Sequence, residues 1–257
     1  MNSPRRVLGK TRAAIAVARA ALMLPRWRLF SLKSPKKRSY EQAFYRRIAR
    51  GFVTHVELRG TPSAKPGTLY ICNHITWLDI PAIASVIETE FIAMDDIADW
   101  PLVGALSKRT NTLFVSRTQR HQAQQQIEQM IAALQSGVNL MLFAEGTTSP
   151  GADVLPFRSS LFAAAPFASA VQPVFIGYRH RGGTALSDDE MAVIAWTEDG
   201  GPLPNARRIA AMKVDAIVTV LDVAPPHAST NRRALANYCY HAISNGYAAL
   251  RDEAHER

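Results

Sequence analysis

His74 and Asp79 stand five positions apart in the segment Ile71-Cys72-Asn73-His74-Ile75-Thr76-Trp77-Leu78-Asp79, directly after the apolar run Leu69-Tyr70-Ile71. On one regular helix five residues turn through roughly 500°, which leaves two such side chains about 140° apart. They meet only if His74 sits on the turn leaving a strand and Asp79 lies in the first turn of the next helix. A carboxylate bonded to one imidazole nitrogen fixes the tautomer and raises basicity, leaving the other nitrogen free to take a proton. That is the base half of an acyl-transfer site in which a substrate hydroxyl is the nucleophile. The spacing also arises by chance, so the pair needs company elsewhere in the chain.

Company is present. Leu113-Phe114-Val115 runs into Ser116-Arg117, and Leu140-Met141-Leu142-Phe143 runs into Ala144-Glu145-Gly146-Thr147-Thr148-Ser149. Val171-Gln172-Pro173-Val174-Phe175-Ile176 follows. Each is an apolar, strand-like run that ends in polar, Gly or Pro residues, where α/β proteins place ligand groups.

These four blocks, in this order, resemble the glycerolipid acyltransferase family, whose best-known members are the 1-acylglycerol-3-phosphate acyltransferases. Asn73-His74 followed by Asp79 matches the family's catalytic signature, Phe114 to Arg117 its second motif, Phe143 to Thr147 its third, and the segment with Pro173 its fourth. The likeness covers Val56 to Tyr178, and the ordered set is far more specific than any member alone.

The resemblance implies that His74 and Asp79 are catalytic and that Arg117 and Glu145 help bind the acceptor, Arg117 through a phosphate or carboxylate. Gly146 and Thr147 fall with them, and backbone N–H groups around Gly146 are candidates for holding the oxyanion. Asn73 joins the binding set as a group that orients the His74 turn. A surface ion pair for Arg117 and a helix cap for Glu145 stay open as alternatives. Ser116 stands where relatives carry aspartate. Relatives acting on lysophosphatidate follow Glu-Gly-Thr with arginine, a fitting partner for a phosphomonoester; here that position is Thr148. The run Glu145 to Ser149 with Leu155-Pro156-Phe157-Arg158-Ser159 is similar to bacterial lyso-ornithine lipid acyltransferases, with Arg158 supplying part of the missing charge. The implied reaction moves a fatty acyl group from an acyl carrier protein or coenzyme A thioester, a co-substrate and not a cofactor, to a lysolipid hydroxyl; the acceptor stays open between lyso-ornithine lipid and 1-acylglycerol-3-phosphate, with a lean to the former.

Charge is placed unevenly. Residues 1–60 hold fifteen of the 30 Lys/Arg and only Glu41 and Glu57 of the 21 Asp/Glu, a balance of +13, whereas the remainder balances at −4. A basic arm attracts nucleic acid or an anionic membrane surface. Arg5, Arg12, Arg19 and Arg26 recur every seven residues between Ala13-Ala14-Ile15-Ala16-Val17-Ala18 and Ala20-Ala21-Leu22-Met23-Leu24. Such spacing describes a helix with a cationic stripe and apolar flanks, ending near Pro25. No uncharged run approaches the ~20 residues that cross a bilayer. Lying in the interface, with arginines on phosphate headgroups, fits better than nucleic-acid binding, for which no module or aromatic interleaving appears. The expected location is the cytoplasmic face of the inner membrane, peripheral or monotopic.

The 257 residues read as residues 1–50, a basic membrane-interface helical region, and residues 51–257, the catalytic domain. Two cysteines, Cys72 and Cys239, give neither a disulfide framework nor metal spacing, and no metal site is expected. Helices are expected at Tyr40–Arg50, Trp77–Ile87, Thr118–Gln135, Leu161–Phe167 and Asn231–Leu250. Strands are expected at Phe52–Leu58, Leu69–Cys72, Glu90–Met94, Thr112–Val115, Leu140–Phe143, Val171–Gly177, Met191–Trp196 and Val214–Leu221. Alternating in this way, they indicate an α/β layered domain with a largely parallel sheet flanked by helices. Two competing functions remain: a thioesterase or hydrolase with Cys72 as nucleophile, two residues from His74, and a non-enzymatic membrane-surface adaptor in which the basic arm is the function.

Overall fold

The computed structural model describes residues 4–23, 35–94, 113–115, 120–196, 202–226 and 231–255. Seven strands form the sheet: β1 (Val56–Arg59), β2 (Thr68–Cys72), β3 (Glu90–Met94), β4 (Leu113–Val115), β5 (Leu140–Phe143), β6 (Ala170–His180) and β7 (Val214–Val220). Their spatial order is β1-β7-β6-β2-β5-β3-β4. All neighbours run parallel except β6 and β7. Every residue of the central strands β2 and β5 is buried, as expected for strands covered by helices on both faces. The largely parallel α/β layering read from the sequence is therefore the architecture of the chain.

The helices are α1 (Pro4–Ala21), α2 (Pro35–Phe52), α3 (Asp79–Ala84), α4 (Arg120–Gln135), α5 (Asp188–Ile194), α6 (Pro202–Ile209) and α7 (Arg232–His255), with a 3₁₀ helix over Ser159–Phe167. In α7 the buried Leu235, Cys239, Ile243, Tyr247 and Leu250 recur at three to four residues, the stripe of a helix with one face on a core.

One expected strand is a helix. Met191–Trp196 reads as an apolar strand, yet α5 starts at Asp188 because Ser187 and Glu190 form a capping box: the Ser187 hydroxyl accepts from the Glu190 N–H and the Glu190 carboxylate accepts from the Ser187 N–H. The Ser-x-x-Glu signal was present and outweighs the short apolar run. The helix expected over Trp77–Ile87 is only α3.

The boundary drawn at residue 50 also needs correction, because it cuts α2. That helix buries Phe44, Tyr45, Ala49 and Phe52 in the same hydrophobic cluster as the sheet. It belongs to the catalytic body. Helix α1 packs on α2 at Ala13 and Ala16, where a Cβ on Gly51 would come 2.7 Å from the Ala16 Cβ, and Ala13 and Ala20 are buried. Only glycine permits that approach. Arg12, expected to reach headgroups, instead donates to the carbonyls of Gly51 (3.2 Å) and Phe52 (3.1 Å) and closes the end of α2. Ile15 and Val17 on α1 and Leu22 in the turn just after it remain exposed, as does Arg19, one turn on from Ile15. Arg5 and Arg26 fall where no side chain is described. Among the described residues no helix is long and apolar enough to cross a membrane.

Candidate active site

Strand register brings the motifs together. β2 and β5 are parallel, with Cys72 opposite Phe143, so the residues that follow, Asn73-His74 and Ala144-Glu145, leave the same edge of the sheet side by side. Where β2 ends, the Asn73 amide takes over the ladder: it donates to the Ile176 carbonyl (3.0 Å) and accepts from the Ile176 N–H (2.9 Å). Asn73 is 1 % exposed. Both halves of its amide are engaged, so it is an anchor of the turn and not a substrate contact, which narrows the role it was given from sequence.

His74 leaves the strand and Asp79 opens α3. Their side chains meet, His74 Nδ1 lying 2.8 Å from Asp79 Oδ2. Asp79 is completely buried, while the His74 side chain keeps 15 % of its surface. The same Oδ2 accepts the N–H groups of Ile75 (2.7 Å) and Thr76 (2.9 Å), and Oδ1 accepts the Tyr178 hydroxyl (2.6 Å). The carboxylate thus folds the His-x-x-x-x-Asp loop around itself. With Nδ1 facing a carboxylate, the neutral ring carries its proton there, and Nε2 holds the lone pair. The ring stacks on Phe143, centroids 3.9 Å apart, and Phe143 in turn lies 6.0 Å from Phe91. The imidazole therefore sits in a fixed plane against an apolar wall.

Glu145 is 2 % exposed. Its Oε1 accepts the His74 N–H (2.7 Å) and its Oε2 the Leu155 N–H (3.1 Å). Burial outweighs these two bonds and pushes the carboxyl up to about 8. Each oxygen holds a backbone N–H in a buried setting, so Glu145 ties the catalytic turn to the loop at Leu155; among the described residues it caps no helix.

Further bonds fix the same turn. Ser149 N–H donates to the His74 carbonyl (2.7 Å) and Trp196 N–H to the Ile75 carbonyl (3.0 Å), while the Thr148 hydroxyl donates to the Trp196 carbonyl. Asn205, 1 % exposed, accepts from the Trp77 indole N–H (2.9 Å) and donates to the carbonyls that end α5. Thr148, which stands where arginine was expected in phosphate-binding relatives, is thus a fastening of the loop.

Gly146 has a φ of +70°, and its N–H closes a turn on the Phe143 carbonyl at 3.1 Å. That amide is engaged, which removes it from the oxyanion candidates. Arg158 lies over Gly146: a Cβ there would stand 3.1 Å from its Cδ and 3.2 Å from its Nε. Arg158 and Thr147 are exposed and Gly146 is half-buried, so this corner, and not Glu145, faces solvent. Arg117 and Ser116 lie outside the described residues, although β4 ends just before them.

A family model described as Acyltransferase matches residues 53–177. Lyso-ornithine lipid O-acyltransferase from Brucella abortus is 33 % identical over 235 residues, covering 87 % of each chain. The chain belongs to the acyltransferase family. This acyltransferase is also 33 % identical over 128 residues to 1-acyl-sn-glycerol-3-phosphate acyltransferase from Neisseria meningitidis, covering 48 % of this chain and 50 % of that one. Its fold matches the crystal structure of the 1-acyl-sn-glycerophosphate acyltransferase PlsC from Thermotoga maritima, with a TM-score of 0.68, 20 % identity and 96 % of both chains covered.

Two residues of the acyltransferase site went unread in the sequence. Tyr178 shares the strand face of Ile176, a period of two that was legible, but nothing local ties it to Asp79. Asn205 lies more than 120 residues from the loop it holds, with no signal at all.

Proposed function

We propose that this acyltransferase moves a fatty acyl group from an acyl carrier protein or coenzyme A thioester to the free hydroxyl of a single-chain lipid, lyso-ornithine lipid foremost. The observation that carries it is the 2.8 Å bond from His74 Nδ1 to the fully buried Asp79. As the lipid hydroxyl attacks the thioester carbonyl carbon, His74 Nε2 takes its proton and Asp79 stabilises the imidazolium. A C–O bond forms, the tetrahedral adduct collapses, the C–S bond breaks, and the imidazolium returns the proton to the thiolate. The bonds made and broken balance between the lysolipid and its thioester co-substrate. Proton transfer of this kind contributes ~10²–10⁴-fold, the remainder coming from placing two lipid substrates.

The acceptor follows from charge. Thr148 fastens the loop where a phosphomonoester site would place an arginine fork, and among the described residues Arg158, exposed beside Gly146, is a cation placed for an ornithine carboxylate. The long alignment to a lyso-ornithine lipid enzyme agrees with this choice. Phosphatidate precursors are the runner-up, favoured by the shorter alignment to the Neisseria relative. Ile15, Arg19 and Leu22, exposed at helical spacing along α1 and its end, fit a peripheral seat on an anionic surface, on the cytoplasmic face of the inner membrane.

Cys72 is no rival nucleophile. It is fully buried, and burial pushes its thiol well above the ordinary range. Turnover of purified enzyme on lyso-ornithine lipid and on 1-acylglycerol-3-phosphate, each with acyl carrier protein and coenzyme A donors, tests the assignment. Loss of all turnover in His74→Ala is expected; retained turnover would overturn the mechanism.

A further inference from the structure

A buried carboxylate has to be kept both ionised and correctly rotated if it is to serve an imidazole. Around Asp79 the donors are two backbone N–H groups, His74 and Tyr178. All but one of these bind Oδ2. Among the described residues the Tyr178 hydroxyl alone donates to Oδ1, at 2.6 Å, from a side chain only 5 % exposed. Tyr178 projects from β6, two residues beyond Ile176, whose backbone clamps Asn73. One strand therefore grips the catalytic loop at both ends, at Asn73 and at Asp79.

We propose that Tyr178 is a positioning residue for acyl transfer: its hydroxyl locks the Asp79 carboxylate plane and, by sharing its charge, sets how strongly Asp79 draws on the His74 Nδ1 proton. The proposal rests on His74 acting as the base. Burial and the neighbouring Asp79 hold the Tyr178 phenol protonated, so it donates throughout the working pH range. The other titratable groups whose charge reaches this cluster are Cys72, Glu145 and Tyr247, with Arg251 and Asp153 beyond Tyr247. None of them supplies a recorded hydrogen bond to Asp79.

Removing the donor concentrates charge on Oδ2, which favours the imidazolium, and leaves the carboxylate free to rotate. In Tyr178→Phe the His74 Nδ1–H proton, observed by NMR with ¹⁵N-labelled histidine, should move downfield as its bond to the more highly charged Oδ2 tightens. kcat should fall roughly ten- to a hundredfold, the equivalent of a hydrogen bond to a charged group. KM should stay within about twofold, because Tyr178 is buried and touches no substrate. A residue that merely packs would lower stability and leave the Nδ1–H signal in place. If Tyr178→Phe does not fold, 3-fluorotyrosine at position 178 is the second arm: a stronger donor, it should move the signal upfield. An unmoved signal in the folded variant, or a moved one with full kcat, overturns the proposal. Persisting turnover in His74→Ala would instead overturn the base mechanism, a result distinct from the Nδ1–H signal of the Tyr178 variants.

Discussion

Replacing Asp79 in two ways separates its architectural work from its electrostatic work. In Asp79→Ala, the N–H groups of Ile75 and Thr76 and the Tyr178 hydroxyl lose their acceptor in a region where all three residues are 5 % exposed or less. A buried donor left unsatisfied costs ~1–3 kcal/mol, so three come to roughly 3–9 kcal/mol, a large share of the ~5–15 kcal/mol that holds a protein folded. Asp79→Asn is different. Its oxygen can face His74, Ile75 and Thr76, while its amide nitrogen turns to Tyr178, whose hydroxyl rotates to accept instead of donate. The fold should then survive within about 1–2 kcal/mol, yet no negative charge remains to stabilise the imidazolium, and kcat should fall ~10²–10⁴-fold. Urea unfolding followed by circular dichroism reads the first quantity, and turnover on solubilised lysolipid the second. An Asp79→Ala protein as stable as wild type would refute the claim that this carboxylate folds the loop. Undiminished kcat in Asp79→Asn would refute its role toward the imidazolium.

Glu145→Gln should remove a pH dependence of stability. With its carboxyl pushed up to about 8 by burial, ionisation opposes folding as pH rises from the unfolded value near 4.5, so wild type should lose stability relative to Gln between about pH 4.5 and 8, by at most roughly 5 kcal/mol; parallel unfolding curves at pH 5 and 9 would contradict this. Arg158→Ala should raise KM for the lysolipid about tenfold with kcat nearly unchanged, whereas Arg158→Lys should recover only part of the loss, a contrast read by steady-state kinetics. Gly51→Leu should push α1 from α2, since even a Cβ would stand 2.7 Å from Ala16, at a cost of about 1–3 kcal/mol; an unchanged thermal midpoint would count against the packing. Ile15→Ser with Leu22→Ser should weaken binding to anionic vesicles while leaving turnover on detergent-solubilised acceptor intact, checked by flotation beside the activity assay.

Much of this protein was legible because its information is local. Apolar runs ending in polar or glycine residues gave the parallel strands, and the phase of His74 against Asp79 required a strand–turn–helix, which the chain adopts. Charge asymmetry and the apolar repeat around Arg12 and Arg19 gave α1. The competing local signals at Ser187 and Glu190 could have been read too, and would have replaced a strand by α5. Only tertiary structure decided what each polar side chain spends its hydrogen bonds on. Burial together with partners distant in sequence made Asn73 and Glu145 anchors of the catalytic turn, made Arg12 a helix closure, and left Arg158 exposed. Hydrophobic periodicity reports which way a side chain faces, but a hydrogen bond needs both partners within about 3 Å. That proximity is set by the register of β2 against β5 and β6, which no single segment of the chain contains.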